Sequence, residues 1–126
     1  MAVHYEIRQV EPDVTVASLT GQLNLGSRLT DFENSIKLRV WEGSRKMVLD
    51  LSGLTYIDSA GLGMVATCAG IMAKAGGKLV VVSAGGKVYK MFELTHLNRV
   101  IGVYPDLPSA CAAISEPSTP ASGGPP

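Results

Sequence analysis

The chain has 126 residues, 46% of them hydrophobic, and its 11 Lys/Arg and 11 Asp/Glu side chains cancel to a formal net charge of zero. That length fits one domain, and that apolar share can fill a core without disulfides or metal. Balanced charge with no local Lys/Arg cluster argues against binding to DNA, RNA or an anionic membrane surface.

The first residues, Met1–Glu6, show no basic stretch followed by an apolar one, so no signal peptide is expected. Val3–Val10 alternates loosely through Val3, Tyr5 and Ile7 and reads as a strand. Glu11-Pro12-Asp13 is a turn, and Val14–Leu19 alternates again, so the first two strands form a hairpin. Gly21-Gln22-Leu23-Asn24 ends it and leads away. Arg28–Trp41 places Leu29, Phe32, Ile36 and Val40 on one side of an amphipathic helix. Its start is ambiguous: Ser27 could cap it, or Thr30 and Glu33 could form a capping box.

Met47–Leu51 is a short apolar run, as expected of a buried strand, and Ser52-Gly53 breaks it. Asp58-Ser59 offers an N-cap for a helix over Ser59–Ala75, stopped by Gly76-Gly77. Leu79–Val82 is a wholly apolar strand, the kind covered on both faces. Lys87–Thr95 is a third helix, Val100, Ile101 and Val103 point to a last strand, and Asp106–Ser115 is a closing helix. Glu116–Pro126 is rich in Pro, Ser and Gly and is expected to be a disordered tail. The order ββαβαβαβα implies an α/β domain over residues 1–115. Its sheet should be mixed but mostly parallel, with an N-terminal hairpin and about four helices packed on it. No segment approaches the roughly 20 apolar residues that cross a bilayer. Cys68 and Cys111 stand singly; the sequence leaves a bridge open, and free thiols of a reducing cytoplasm are the expectation.

The second helix is apolar nearly all round. Leu62, Val65, Ala66, Ala69, Met72 and Ala73 form one stripe; Met64, Cys68 and Ile71 lie on the other side. Such a helix is buried all round or covered by a partner. Two readings of Met64 follow: it belongs to a partner surface, or it packs under a neighbouring helix. Ser59 also has two readings: a plain N-cap, or a displayed hydroxyl that can be modified. Helix-start amides and the helix dipole favour negative charge there. A phosphate on Ser59 would add about −1.5 to −2 of charge beside Asp58 and in front of a docked partner. The fold would tolerate it and binding would change. Gly61 and Gly63 would let another chain come close to the backbone.

Leu49-Asp50-Leu51-Ser52-Gly53 and Ile57-Asp58-Ser59-Ala60-Gly61-Leu62-Gly63 resemble the signature of STAS domains, in particular the bacterial anti-sigma factor antagonists. Gly21-Gln22-Leu23-Asn24, Ala75-Gly76-Gly77-Lys78-Leu79 and Phe92-Glu93-Leu94-Thr95 with Leu97 and Arg99-Val100 extend the likeness to residues 3–115. The resemblance implies a non-enzymatic switch without a cofactor, working in the cytoplasm. Its unmodified form would bind an anti-sigma factor that is itself a serine kinase, releasing a sigma factor. The kinase would phosphorylate Ser59 and so end the complex, and a metal-dependent serine phosphatase would reverse the mark. Asn24, Asp58, Ser59, Ala60, Gly61, Leu62, Gly63 and Met64 would form the partner-binding set, and a weak homodimer is left open. Three residues depart from the family pattern. Asn24 stands where relatives often have Asp, Ala60 where many have a second Ser, and His96 where a Gly is frequent.

Three rivals stand beside this. Gly61-Leu62-Gly63-Met64-Val65-Ala66 fits a loose dinucleotide fingerprint, but roughly seven residues separate it from its strand. An enzyme would need His4 or His96 near Ser59, outside any Gly-x-Ser-x-Gly motif, and no metal-ligand spacing appears. The same fold could also serve as a scaffold of a stress-signalling complex or an accessory subunit of a transporter.

Overall fold

The computed structural model describes residues 3–10, 13–24, 29–83 and 85–115. The elements are β1 (Val3–Val10), β2 (Val14–Leu23), α1 (Leu29–Trp41), β3 (Lys46–Ile57), α2 (Ser59–Lys74), β4 (Lys78–Val82), α3 (Gly86–Leu94), β5 (Gly102–Tyr104) and α4 (Leu107–Ser115). A 3-10 turn at Leu97–Arg99 precedes β5. Glu11-Pro12, Ser27-Arg28 and the expected tail over 116–126 lie outside the described residues.

The five strands form one sheet in the order β1-β2-β3-β4-β5. β1 and β2 are antiparallel; every later pair is parallel. The expected mixed α/β architecture with its N-terminal hairpin holds. Each new strand is added on the same side of the last. Right-handed crossovers then put every connecting helix on one face. The core follows this rule. Phe32 and Ile36 of α1, Leu62, Met64, Val65, Cys68 and Met72 of α2, and Val88 and Phe92 of α3 share one cluster with Met47, Leu49, Leu51, Leu79 and Val81 of the sheet. The opposite face carries Val14, Val16, Val48, Val80 and Val82, covered by Ala110 and Ile114 of α4. Cys68 packs in the first cluster and Cys111 against the second, and both are free thiols. The sheet lies between them, which rules out a bridge.

Several boundaries differ from the sequence reading. β3 does not stop at Leu51 but runs on through Ser52 and Gly53 to Ile57. Its register against β2 shifts between Ser18 and Thr20 and again between Gly21 and Gln22, so β3 bulges where a break was expected. Asp50 braces the first bulge: one oxygen accepts from the Ser52 amide at 3.0 Å and from its hydroxyl at 2.6 Å. Glycine is needed at position 53, because a Cβ there would meet the Thr20 methyl at 2.6 Å. Gly21–Leu23 likewise remains in β2 instead of leading away. Thr30 falls inside α1, which removes the capping box with Glu33. His96 holds a left-handed backbone, φ 62, as its place in the pattern suggested.

Candidate functional site

The site forms where β2 and β3 end and α2 begins. The Asp58 amide donates to the Leu23 carbonyl at 3.2 Å, tying the start of α2 to the end of β2. Asp58 is in extended conformation, φ −112 and ψ −173, and its Oδ1 accepts from the Gly61 amide at 2.9 Å. Asp58 is therefore the N-cap. Ser59 is the first residue of α2, exposed, and its hydroxyl makes no hydrogen bond among the described residues. The reading of Ser59 as a plain cap is thus corrected: the neighbouring carboxylate does that work.

Gly61 cannot carry a side chain. A Cβ there would lie 2.5 Å from the Leu23 carbonyl oxygen and 2.9 Å from Ile57. This close approach seats α2 on the strand ends. It also disposes of the dinucleotide fingerprint. Gly61 and Gly63 lie within α2, not in a strand-to-helix turn, and the Leu23 backbone fills the space a pyrophosphate would need.

The residues expected to meet a partner divide by exposure. Ser59 and Gly63 are exposed; Asn24, Asp58 and Ala60 are half-buried. Gly61, Leu62 and Met64 are buried, the two side chains at 3% exposure each. Those three are corrected: they support the site from inside and offer no surface. The physical reason is that α1 and the sheet cover both apolar sides of α2. The Cys68 thiol donates to Met64 Sδ at 3.5 Å within that interior. Burial, reinforced by Glu33 and opposed by Lys37, pushes the Cys68 thiol up to about 12. Both charged residues belong to α1, so this side of α2 faces α1.

The outward face of α2 went unread in the sequence. Ser59, Gly63, Thr67 and Gly70 are all exposed and recur at helical spacing, and an added Cβ at Gly63 or Gly70 would meet nothing within 4 Å. Tyr56, 46% exposed at the end of β3, adds an aromatic ring three residues before Ser59. The helical period of small residues was the available signal; their apolar character hid it. Between Lys46 and Lys74 the chain has no Lys or Arg. Within that segment, only helix amides and the helix dipole favour an anion at Ser59. Among the described residues, no His, Cys, Asp and Glu side chains gather as a metal-ligand set, and no hydrogen bond joins His4 or His96 to Ser59.

The fold and site define a mixed α/β domain with a capped, open helix head, and comparison with known proteins is specific about its family. Residues 6–110 match the STAS domain family. BtrV of Bordetella bronchiseptica, assigned as an anti-sigma factor antagonist, is 32% identical over 98 residues, covering 78% of this chain and 84% of BtrV. An anti-sigma factor antagonist from Mycobacterium paratuberculosis superposes with a TM-score of 0.81 at 24% identity, over 90% of this chain and 95% of that one. SpoIIAA of Bacillus in its unphosphorylated form gives 0.75 at 16% identity, over 92% and 100%. The chain belongs to the STAS-domain family of anti-sigma factor antagonists.

Proposed function

We propose that this chain is a phosphorylation-switched module that binds an anti-sigma factor serine kinase while Ser59 is bare. Binding would free a sigma factor in the cytoplasm. The carrying observation is an exposed, uncommitted hydroxyl at the head of α2, with capping already done by Asp58. The partner would dock on Tyr56 and the small-residue strip Ser59-Gly63-Thr67-Gly70. Phosphate on Ser59 would put charge into that contact, where desolvation makes it costly. The first-turn amides would keep the helix intact around it. A metal-dependent serine phosphatase would restore the bare form. The chain itself performs no catalysis in this scheme.

The test is incubation of the protein with ATP and an anti-sigma factor serine kinase from the same cell, followed by mass spectrometry. One phosphate on Ser59, absent from Ser59→Ala, is the expected result. Ser59→Ala should bind the kinase constitutively and Ser59→Asp should not bind. Equal binding by the two variants would sink the proposal.

A further inference from the structure

β1 is one edge of the sheet: β2 pairs with it on one side, and no strand among the described residues pairs on the other. Its 8 residues keep an unbroken register with β2 and include no Pro and no Lys. Pro, Lys and bulges are the usual devices that blunt a long edge, so β1 presents an open outer row of backbone amides and carbonyls. The other edge, β5, is only 3 residues long.

The side chains of β1 sort onto two faces. Tyr5 and Ile7 lie on the face shared with α1, where with Ser35, Leu38 and Arg39 they line an open hollow of about 220 Å³. Leu38 is 53% exposed there. Glu6 and Arg8 are exposed on the other face. Arg8 donates to the Ser18 hydroxyl at 3.1 Å, and the Glu6 carboxylate makes no hydrogen bond or ion pair among the described residues.

A second copy of β1 fits this edge. In an antiparallel ladder, facing residues share one hydrogen-bonding phase and one side of the sheet. Two copies of one strand related by a two-fold axis therefore centre on a residue that stands opposite itself. Centring on Glu6 or on Arg8 sets like charges against each other. Centring on Tyr5 shortens the ladder to Val3–Ile7. Centring on Ile7 keeps residues 4–10 paired and sets Glu6 opposite Arg8 twice. It also closes Ile7 on Ile7 beside Leu38, which takes that apolar edge out of water.

We infer that this chain forms a two-fold dimer by antiparallel pairing of β1 with β1 of a second copy, in the register centred on Ile7. The surface uses neither α2 nor Ser59.

Sedimentation of the full chain over about a hundredfold range of concentration tests this. A monomer–dimer equilibrium is expected. Glu6→Arg or Arg8→Glu alone should weaken it about tenfold or more, because like charges then face each other across the edge. The two variants mixed in equal amounts should pair with each other at least as tightly as the unchanged chain does, since each facing pair is again of opposite sign. Amide hydrogen exchange reads the same contact without a substitution: in the unchanged chain, protection within β1 should rise with concentration. A monomer at every concentration, or a dimer whose strength neither substitution alters, would overturn the inference. So would a mixture that pairs no better than either variant alone.

Discussion

Along α2, Met64 and Cys68 lie in the interior while Gly63 and Thr67, each one residue earlier, face solvent. The inner side is large and soft: Leu62, Met64, Val65 and Met72 interlock with α1 and the sheet. The outer side is small, so the backbone itself comes near the surface. One helix thus carries two faces of different character. The inner one holds the domain together, and the outer one, on the function proposed above, would meet another molecule without disturbing it. A change made on one side should leave the other's measurement untouched.

The inner face breaks most severely. Met64→Glu would bury an unpaired carboxylate and should cost about 3 kcal/mol or more of stability, read by denaturant unfolding. The alkaline limb of stability tests the same face at Cys68. An unfolded thiol ionises near 9.0, whereas burial holds this one protonated to about 12. Between those values the unfolded chain sheds a proton that the folded chain keeps. Stability is therefore intact below pH 9 and falls as the pH rises toward 12. In Cys68→Ala that fall should be shallower, and unfolding curves at about pH 8 and about pH 11 would show it.

The outer face answers to binding, not to unfolding. Thr67→Arg should leave stability within about 0.5 kcal/mol and weaken capture of the anti-sigma kinase about tenfold or more. Thermal melts and titration calorimetry on one sample separate the two effects. The smallest change sharpens the contrast. Gly63→Ala adds a methyl into open space within a helix and should raise stability by about 0.5–1 kcal/mol. A loss of stability there would mean that the outer face also packs against something in the domain.

Element order, the hairpin, the mostly parallel sheet and the head of α2 were legible from hydrophobic periodicity and capping residues. Three features were not, for reasons that differ. Ser52-Gly53 carries turn composition, yet the bulge braced by Asp50 lets β3 pass through it. Asp58 and Ser59 are both good caps and adjacent, so only backbone geometry could separate the cap from the free hydroxyl. The apolar circumference of α2 suggested a covered surface at Met64. Hydropathy does not register side-chain size, and the open strip lies where the small residues Ser59, Gly63, Thr67 and Gly70 are. The family motif falls where β2 and β3 end and α2 begins, and there Gly61 and Leu62 are buried and serve as scaffolding.

The strand order has a consequence for how the molecule is made. Each strand lies beside the one synthesised just before it, and none is inserted between two already joined. A nascent chain leaving the ribosome can lay down β1 and β2, then add each β-strand with its crossover helix to a finished edge. Loop closures stay short throughout, which lowers the entropic barrier to every step. α4 follows all five strands and covers the valine face, so that face stays bare until α4 has been made.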